Sequence, residues 1–117
     1  MSVKFELDDR ELIRKIRKAG PRAEKKVREI VVETLKDIMN DAKELCPYRT
    51  GNLRRSITTV YDDDYLGGYV TAYAPYAAHV EFGTSRQKAK PYLRPAFDTH
   101  VKEFKKKLSK LIEELEK

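Results

Sequence analysis

The chain is poor in the residues on which most enzyme and metal sites depend: its 117 residues include one cysteine, two histidines and no tryptophan. Because Cys46 is alone, it has no partner for an intramolecular disulfide, which favours a reducing site of synthesis. No apolar run approaches the ~20 residues of a membrane-spanning helix, and the N-terminal residues lack the apolar segment of a signal peptide. These absences predict a protein that is made in a cytoplasm and has no membrane partner.

Charge, in contrast, is abundant. Charged residues make up 38% of the chain and hydrophobic residues 40%, with a formal net charge of +6. This composition is typical of one folded domain, here residues 1–117, with a strongly charged surface. The positive balance permits contact with nucleic acid, but the basic residues are spread along the chain instead of forming one concentrated stripe.

The first part of the chain has the apolar periodicity of two helices, at about residues 9–19 and 21–45. Asp8 or Asp9 can cap the first helix, and Pro47 stops the second because it disfavours the helical conformation in the residue before it. The apolar stripe of the second helix consists of Val27, Ile30, Val31, Leu35, Ile38, Ala42 and Leu45.

The middle of the chain changes to the pattern of β-structure. Residues 57–61 are rich in β-branched side chains and residues 68–73 alternate in type, so both are predicted to be strands. Between them, Asp62–Asp64 and Gly67–Gly68 favour turns, which predicts a hairpin or a short meander. A short helix over about residues 75–82 should follow.

The C-terminal part returns to helical periodicity and predicts a helix over about residues 92–116. Its apolar stripe consists of Leu93, Phe97, Val101, Phe104, Leu108, Leu111 and Leu115. Together these elements predict an α+β fold, in which long N-terminal and C-terminal helices pack on a small antiparallel β-sheet followed by a short helix.

No set of residues has the spacing of a catalytic or metal site. His79–Glu81 matches half of a zinc-deaminase motif, but the paired cysteines that should follow are missing. Cys46 with His79 or His100 lacks the further groups that activate a nucleophile. The adjacent carboxylates of Asp62–Asp64 diverge, unlike the spaced ligands of a calcium loop. The sequence therefore predicts neither an enzyme nor a cofactor or metal site.

Two clusters of basic residues lie in segments rich in turn-forming or polar residues. Such segments are typically exposed loops, so the basic side chains are available for contact. Such side chains can touch phosphate oxygens without reading base sequence, or they can lie at the rim of a protein interface. The candidate residues for contact with another subunit or with DNA are Arg49, Arg54, Arg55, Arg86, Lys88 and Lys90.

Three segments rich in aromatic, proline and glycine residues, Cys46–Ile57, Tyr73–Thr84 and Lys90–Phe97, resemble a known family. The elements Glu81-Phe82-Gly83-Thr84 and Pro91-Tyr92-Leu93-Arg94-Pro95-Ala96, at this spacing, are the most specific. The chain resembles small tailed-bacteriophage proteins, the head–tail joining or minor tail components typified by gene product ten of the lambdoid phage HK-ninety-seven. The resemblance covers most of the chain.

The resemblance implies a structural, non-enzymatic component of a phage or prophage particle, made in the host cytoplasm and located in the virion neck or upper tail. It also implies assembly into a ring around the DNA passage, with contacts to copies of itself, to neighbouring connector and tail proteins, and to passing DNA. A second hypothesis remains open at this point, in which the two basic clusters make the chain a small non-sequence-specific nucleic-acid-binding module.

Overall fold

The computed structural model describes residues 1–6, 10–47 and 51–115. The elements follow the order β1 (Ser2–Glu6), α1 (Arg10–Ala19), α2 (Pro21–Leu45), α3 (Asn52–Ser56), β2 (Ile57–Tyr61), β3 (Gly67–Ala72), α4 (Ala77–Phe82) and α5 (Leu93–Leu115). Long helices near both ends of the described chain combine with a small antiparallel sheet, which confirms the predicted α+β class. The predicted cap at Asp8 or Asp9 lies outside the described residues.

The sheet has the order β1-β3-β2, and both strand pairs are antiparallel. The β2–β3 hairpin agrees with the prediction, whereas β1 is a strand that the sequence analysis did not identify. Its apolar residues Val3 and Phe5 alternate with polar ones and pair with Val70 and Gly68 of the central strand. The two-residue period of the strand was therefore present in the sequence, but in only five residues.

The hydrophobic core lies where α2 and α5 cover one face of the sheet. α2 contacts β2 and β3, and α5 contacts β1. The rings of Phe5 and Phe104 meet edge to face with centroids 4.6 Å apart, which joins the first strand to the last helix. The largest fully buried side chains are Tyr92, Leu35, Ile38, Ile57, Leu93, Val27, Val31 and Val70.

The long helix α2 has the bounds that its periodicity predicts, from Pro21 to Leu45. Its end is set as expected, because Pro47 follows and Cys46 is extended at φ −70° and ψ 142°. Leu45, the last residue of the predicted apolar stripe, does not pack in the core with the others, since 51% of this residue is exposed. Cys46, which is only 3% exposed, joins the core at this end of the helix instead.

A polar contact joins α2 to α5 outside the apolar core. Nε2 of His100 lies 2.5 Å from a carboxylate oxygen of Asp41, and Nδ1 lies 3.4 Å from Glu103. Partial burial lowers the pKa of His100, but the hydrogen bonds and negative charges of Asp41 and Glu103 outweigh burial and raise the pKa above its usual value. His100 therefore binds its proton more tightly in the folded protein than in the unfolded chain.

Residues 62–66, the hairpin tip, connect β2 to β3. The Arg28 Nε donates to the Asp64 carbonyl at 3.2 Å, and the Leu66 amide donates to the Asp64 side chain at 3.0 Å. Tyr65 has a left-handed backbone, with φ 57°, and 49% of it is exposed. A bulky residue rarely adopts this conformation.

The two long helices give the molecule an elongated shape, with extents of 55 × 23 × 21 Å. At about 1.5 Å per residue, α2 alone is roughly 37 Å long. Among the described residues, no helix combines the length and the apolar character that are needed to cross a bilayer.

Candidate interaction surface

The Glu81 carboxylate caps the N-terminus of α5. One of its oxygens accepts hydrogen bonds from the backbone amides of Tyr92 at 3.1 Å and Leu93 at 2.8 Å, and the other accepts from Arg94 at 3.4 Å. The first amides of a helix have no partner within it, and the positive end of the helix dipole favours a negative charge. Because Glu81 is only 3% exposed, this buried carboxylate fixes where α5 begins relative to α4.

Tyr92 completes the junction between α4 and α5. Its hydroxyl donates to the Ala77 carbonyl at 3.1 Å, and the residue is fully buried. Burial, followed by the negative charge of Glu81, raises the pKa of the Tyr92 phenol. The hydroxyl therefore stays protonated and keeps its role as a donor, so the Glu-Phe-Gly-Thr and Pro-Tyr-Leu-Arg-Pro motifs are held against each other by specific polar contacts.

Gly83 ends α4 and lets the following loop fold back onto it. Its backbone, with φ 77° and ψ 176°, lies in a region that is essentially restricted to glycine. A Cβ at this position would lie 2.7 Å from the Ala89 nitrogen and 2.9 Å from the Gln87 oxygen. The Lys90 amide then donates to the Val80 carbonyl at 2.8 Å, which closes the loop.

A groove of about 480 Å³ lies between α3, α4 and the loop of residues 84–90, and we refer to it as the α3–α4 groove. Its walls combine apolar, amide and basic side chains, a mixture typical of a binding site. The groove is lined by Pro47, Gly51, Asn52, Leu53, Tyr76, His79, Val80, Thr84, Gln87, Lys88 and Lys90.

Exposed aromatic side chains lie in and next to α4, the helix that forms one wall of this groove. Tyr76, which lines it, is 39% exposed, and Tyr73 just before it is 65% exposed. Phe82, at the end of α4, is 70% exposed. Phe82 follows His79 by three residues, so the two lie on neighbouring parts of one helix face. Large apolar groups exposed around a groove favour contact with another molecule.

The structure places part of one predicted basic cluster at this groove, while the described residues of the other cluster lie on the adjoining helix α3. Lys88 and Lys90 line the groove, and Arg86 is exposed on the same loop. Arg54 and Arg55 belong to α3, the helix whose first residues form the opposite wall. The sixth candidate, Arg49, lies outside the described residues. Contact of these side chains with a subunit or with DNA remains a prediction.

The residues weighed for catalysis have separate environments. The Cys46 thiol is buried and donates to the Lys43 carbonyl at 3.2 Å, whereas His79 is exposed at the α3–α4 groove. His100 contacts Asp41 on α2. Within the residues that the structure describes, no three histidine, cysteine, aspartate or glutamate side chains are placed to hold a metal ion.

The capping role of Glu81 was not predicted from the sequence, where this residue stood out only as half of a His-x-Glu motif and as part of the Glu-Phe-Gly-Thr element. Its capping partners lie up to thirteen residues later in the chain. No local spacing rule connects a carboxylate to a helix start at that distance. The only available signal was the occurrence of Glu81 and Tyr92 in the two motifs that carry the family resemblance.

Comparison with known protein families gives a match over much of the chain. The model of a family described as "Bacteriophage HK97-gp10, putative tail-component" matches residues 10–83, which span α1 to α4 and include Glu81 and Gly83. The Pro91–Ala96 segment lies beyond the match. No curated protein and no solved structure matches the chain. Because the matched residues make up well over half of the sequence, the chain belongs to the HK97-gp10-like family of bacteriophage tail components.

Proposed function

We propose that this protein is a structural component at the head–tail neck or upper tail of a tailed phage or prophage particle, and that it acts by assembling into a ring and contacting neighbouring particle proteins. Membership of a tail-component family supports the structural role. The observation that carries the proposed mode of action is the α3–α4 groove with the exposed aromatics Tyr73, Tyr76 and Phe82.

These features suit a subunit interface. Aromatic residues are enriched in the buried centres of protein interfaces, and polar and charged groups form their rims. Tyr76 and Phe82 supply the aromatic part, while Lys88, Lys90 and Arg86 supply a charged rim. The polar junction at Glu81 fixes the helix and loop that present these side chains, which limits the entropy lost on binding.

The test is genetic complementation in a phage or prophage that depends on this gene. Without the protein, we expect heads and tails that are not joined, and wild-type protein should restore joined, infectious particles. The variant Tyr76→Ser/Phe82→Ser should fold, as judged by circular dichroism, and fail to restore them. Normal particles in the complete absence of the protein would overturn the proposal.

Nucleic-acid binding is a second candidate, favoured by Lys88 and Lys90 in the groove and by the basic residues of the adjoining helix α3. It predicts duplex binding that weakens steeply as salt rises, because phosphate contacts release counterions. Arg86→Glu/Lys88→Glu should abolish this binding, while Lys102→Glu/Lys106→Glu, on exposed positions of α5, should weaken it less. Lack of binding to any duplex at low salt would remove this candidate.

A further inference from the structure

We propose that the α3–α4 groove of one copy binds the hairpin tip of a second copy, so that copies join head to tail. The inference rests on the proposed ring assembly and names the two surfaces that make it. It is carried by three features of the described residues: where the surfaces lie, how their charges compare, and which side chain the tip presents.

The two surfaces lie at opposite ends of one strand. β2 begins at Ile57, directly after α3, and ends at Tyr61, directly before the hairpin tip. Its five residues span roughly 17 Å at about 3.3 Å per residue. A rigid strand therefore separates the groove from the tip, and a tip can reach a groove only in another molecule. Contacts between two different surfaces of identical subunits generate a ring when their rotation closes.

The surfaces have opposite charge. The hairpin tip carries Asp62, Asp63 and Asp64, all exposed. The groove is lined by Lys88 and Lys90, with further positive charge nearby on the same loop and on α3. Complementary charges of this kind steer association and set its register. The net charge of +6 makes copies of the chain repel one another overall. Electrostatic attraction between two copies therefore requires a local acidic surface, such as the hairpin tip.

The tip also presents an aromatic side chain. About half of Tyr65 is exposed, and its ring lies beside that of Tyr61, with the two centroids 5.8 Å apart. The groove, at about 480 Å³, has room for this ring beside Tyr76 and Val80. Arg28 and the Asp64 side chain hold the tip backbone in place, so the tip is ordered before it binds.

The test measures mass by light scattering during size exclusion, at low salt and at concentrations up to about 1 mM, where weak contacts also associate. Wild-type protein should form an oligomer larger than a dimer. The tip variant Asp62→Lys/Asp63→Lys and the groove variant Lys88→Glu/Lys90→Glu should each be monomeric. Matched controls with the same charge changes, Glu113→Lys/Glu114→Lys and Lys102→Glu/Lys106→Glu, should form the wild-type oligomer.

Mixing the two defective variants gives a result specific to a head-to-tail contact. The tip variant keeps an intact groove, and the groove variant keeps an intact tip. Together they should associate through the intact tip and the intact groove, giving at least a dimer of twice the 13.6 kDa chain mass. Growth beyond a dimer would show that the reversed Lys tip and Glu groove also pair, whereas a mixture that stays monomeric would overturn the inference.

Tyr65→Gly separates binding from folding. Glycine adopts the φ of 57° at lower cost than tyrosine, so the variant should unfold at the wild-type temperature or above it while its self-association weakens at least about tenfold. Unchanged association would overturn the role of Tyr65. A lower unfolding temperature together with wild-type self-association would show that the Tyr65 side chain stabilises the fold and does not contact a second copy.

The remaining outcomes separate this inference from the proposed function. An oligomer that is unaffected by the tip and groove variants overturns the inference but leaves ring assembly in place. Wild-type protein that is monomeric at about 1 mM overturns the self-contact, while complementation still tests the role in the particle. Groove variants that lose duplex binding but keep self-association would assign the groove to nucleic acid instead.

Discussion

The helix–sheet core and the junction between α4 and α5 are both buried, but different forces hold them. Leu35, Ile38 and Val31 in the core have no exposed surface and contribute through apolar burial. At the junction, Glu81 and Tyr92 are also buried, but they act through directed hydrogen bonds. A change of shape in an apolar core lowers stability in proportion to the contacts that are lost. A buried carboxylate, in contrast, needs all of its hydrogen-bond donors to offset the loss of hydration. The core gives the molecule stability, and the junction gives the groove its shape.

Leu35→Ala should have the largest effect on folding. It removes a fully buried side chain from the contact between α2 and the sheet, and such truncations cost about 3 kcal/mol through lost burial and the cavity left behind. Urea unfolding followed by circular dichroism measures this change. Leu45→Ala, at a residue that is 51% exposed on the same helix, should cost less than about 1 kcal/mol. Equal losses at the two positions would contradict the described core.

Glu81→Ala should cost about 2–3 kcal/mol, because it leaves the amides at the start of α5 without their acceptor in a buried site. Glu81→Gln keeps one acceptor oxygen and should lose about half as much. The same urea titration measures both variants. Glu113 is an exposed residue of α5 and serves as the control. If Glu81→Ala lost no more stability than Glu113→Ala, the capping role would be refuted, and apolar contacts would hold the junction as they hold the core.

Gly83→Ala compared with Gly20→Ala separates steric fit from backbone strain. Both glycines have a positive φ, of 77° and 105°, but a Cβ at Gly20 would meet nothing within 4 Å. The shared strain costs about 1–3 kcal/mol, and the contacts with Gln87 and Ala89 should add about 1–2 kcal/mol at Gly83 alone. Thermal unfolding of the two variants measures the difference. If Gly83→Ala lost less stability than Gly20→Ala, the loop that contains Gln87 and Ala89 would have to move away from the added Cβ.

His100 should give the smallest effect, and one that depends on pH. Its folded pKa is raised above the unfolded value, so its contribution is complete below about pH 6.5 and is lost as pH rises through the folded pKa. The pair with Asp41 is worth roughly 1 kcal/mol at most. Wild-type protein should therefore lose more stability than His100→Gln between pH 6 and pH 8, measured as urea midpoints. Parallel losses would show that other groups cause the pH dependence.

The core was predictable from sequence because its signal is local and repeated. The apolar steps of α2 run over about five turns, so one misplaced residue, Leu45, did not disturb the bounds of the helix. β1 was missed because five residues give too little of a two-residue period, and its partner strand is far away in the chain. α3 is also five residues long, which is too short for a helical periodicity to show in its sequence. Its formation depends on contacts with neighbouring segments of the fold.

The interaction surface was only partly predictable. Charge and loop composition identified the basic residues, and the fold places Lys88 and Lys90 of the 84–90 loop in the lining of one groove. The capping bonds of Glu81 and the exposed position of Tyr65 depend on tertiary geometry, which composition does not encode. Sequence patterns identify which residues are available at a surface, while the arrangement of that surface depends on contacts between distant segments.

The pairing of the first strand with the rest of the protein has a consequence for synthesis. Phe5 packs on Phe104, and Val3 pairs with Val70. At about 5–20 residues per second, a ribosome adds Phe104 roughly 5–20 s after Phe5. During that interval Phe5 of β1 lacks the ring of Phe104 as a partner, and strand edges left open are sites of wrong pairing. The rate of translation therefore sets how long the growing chain is exposed to misassembly before its last helix arrives.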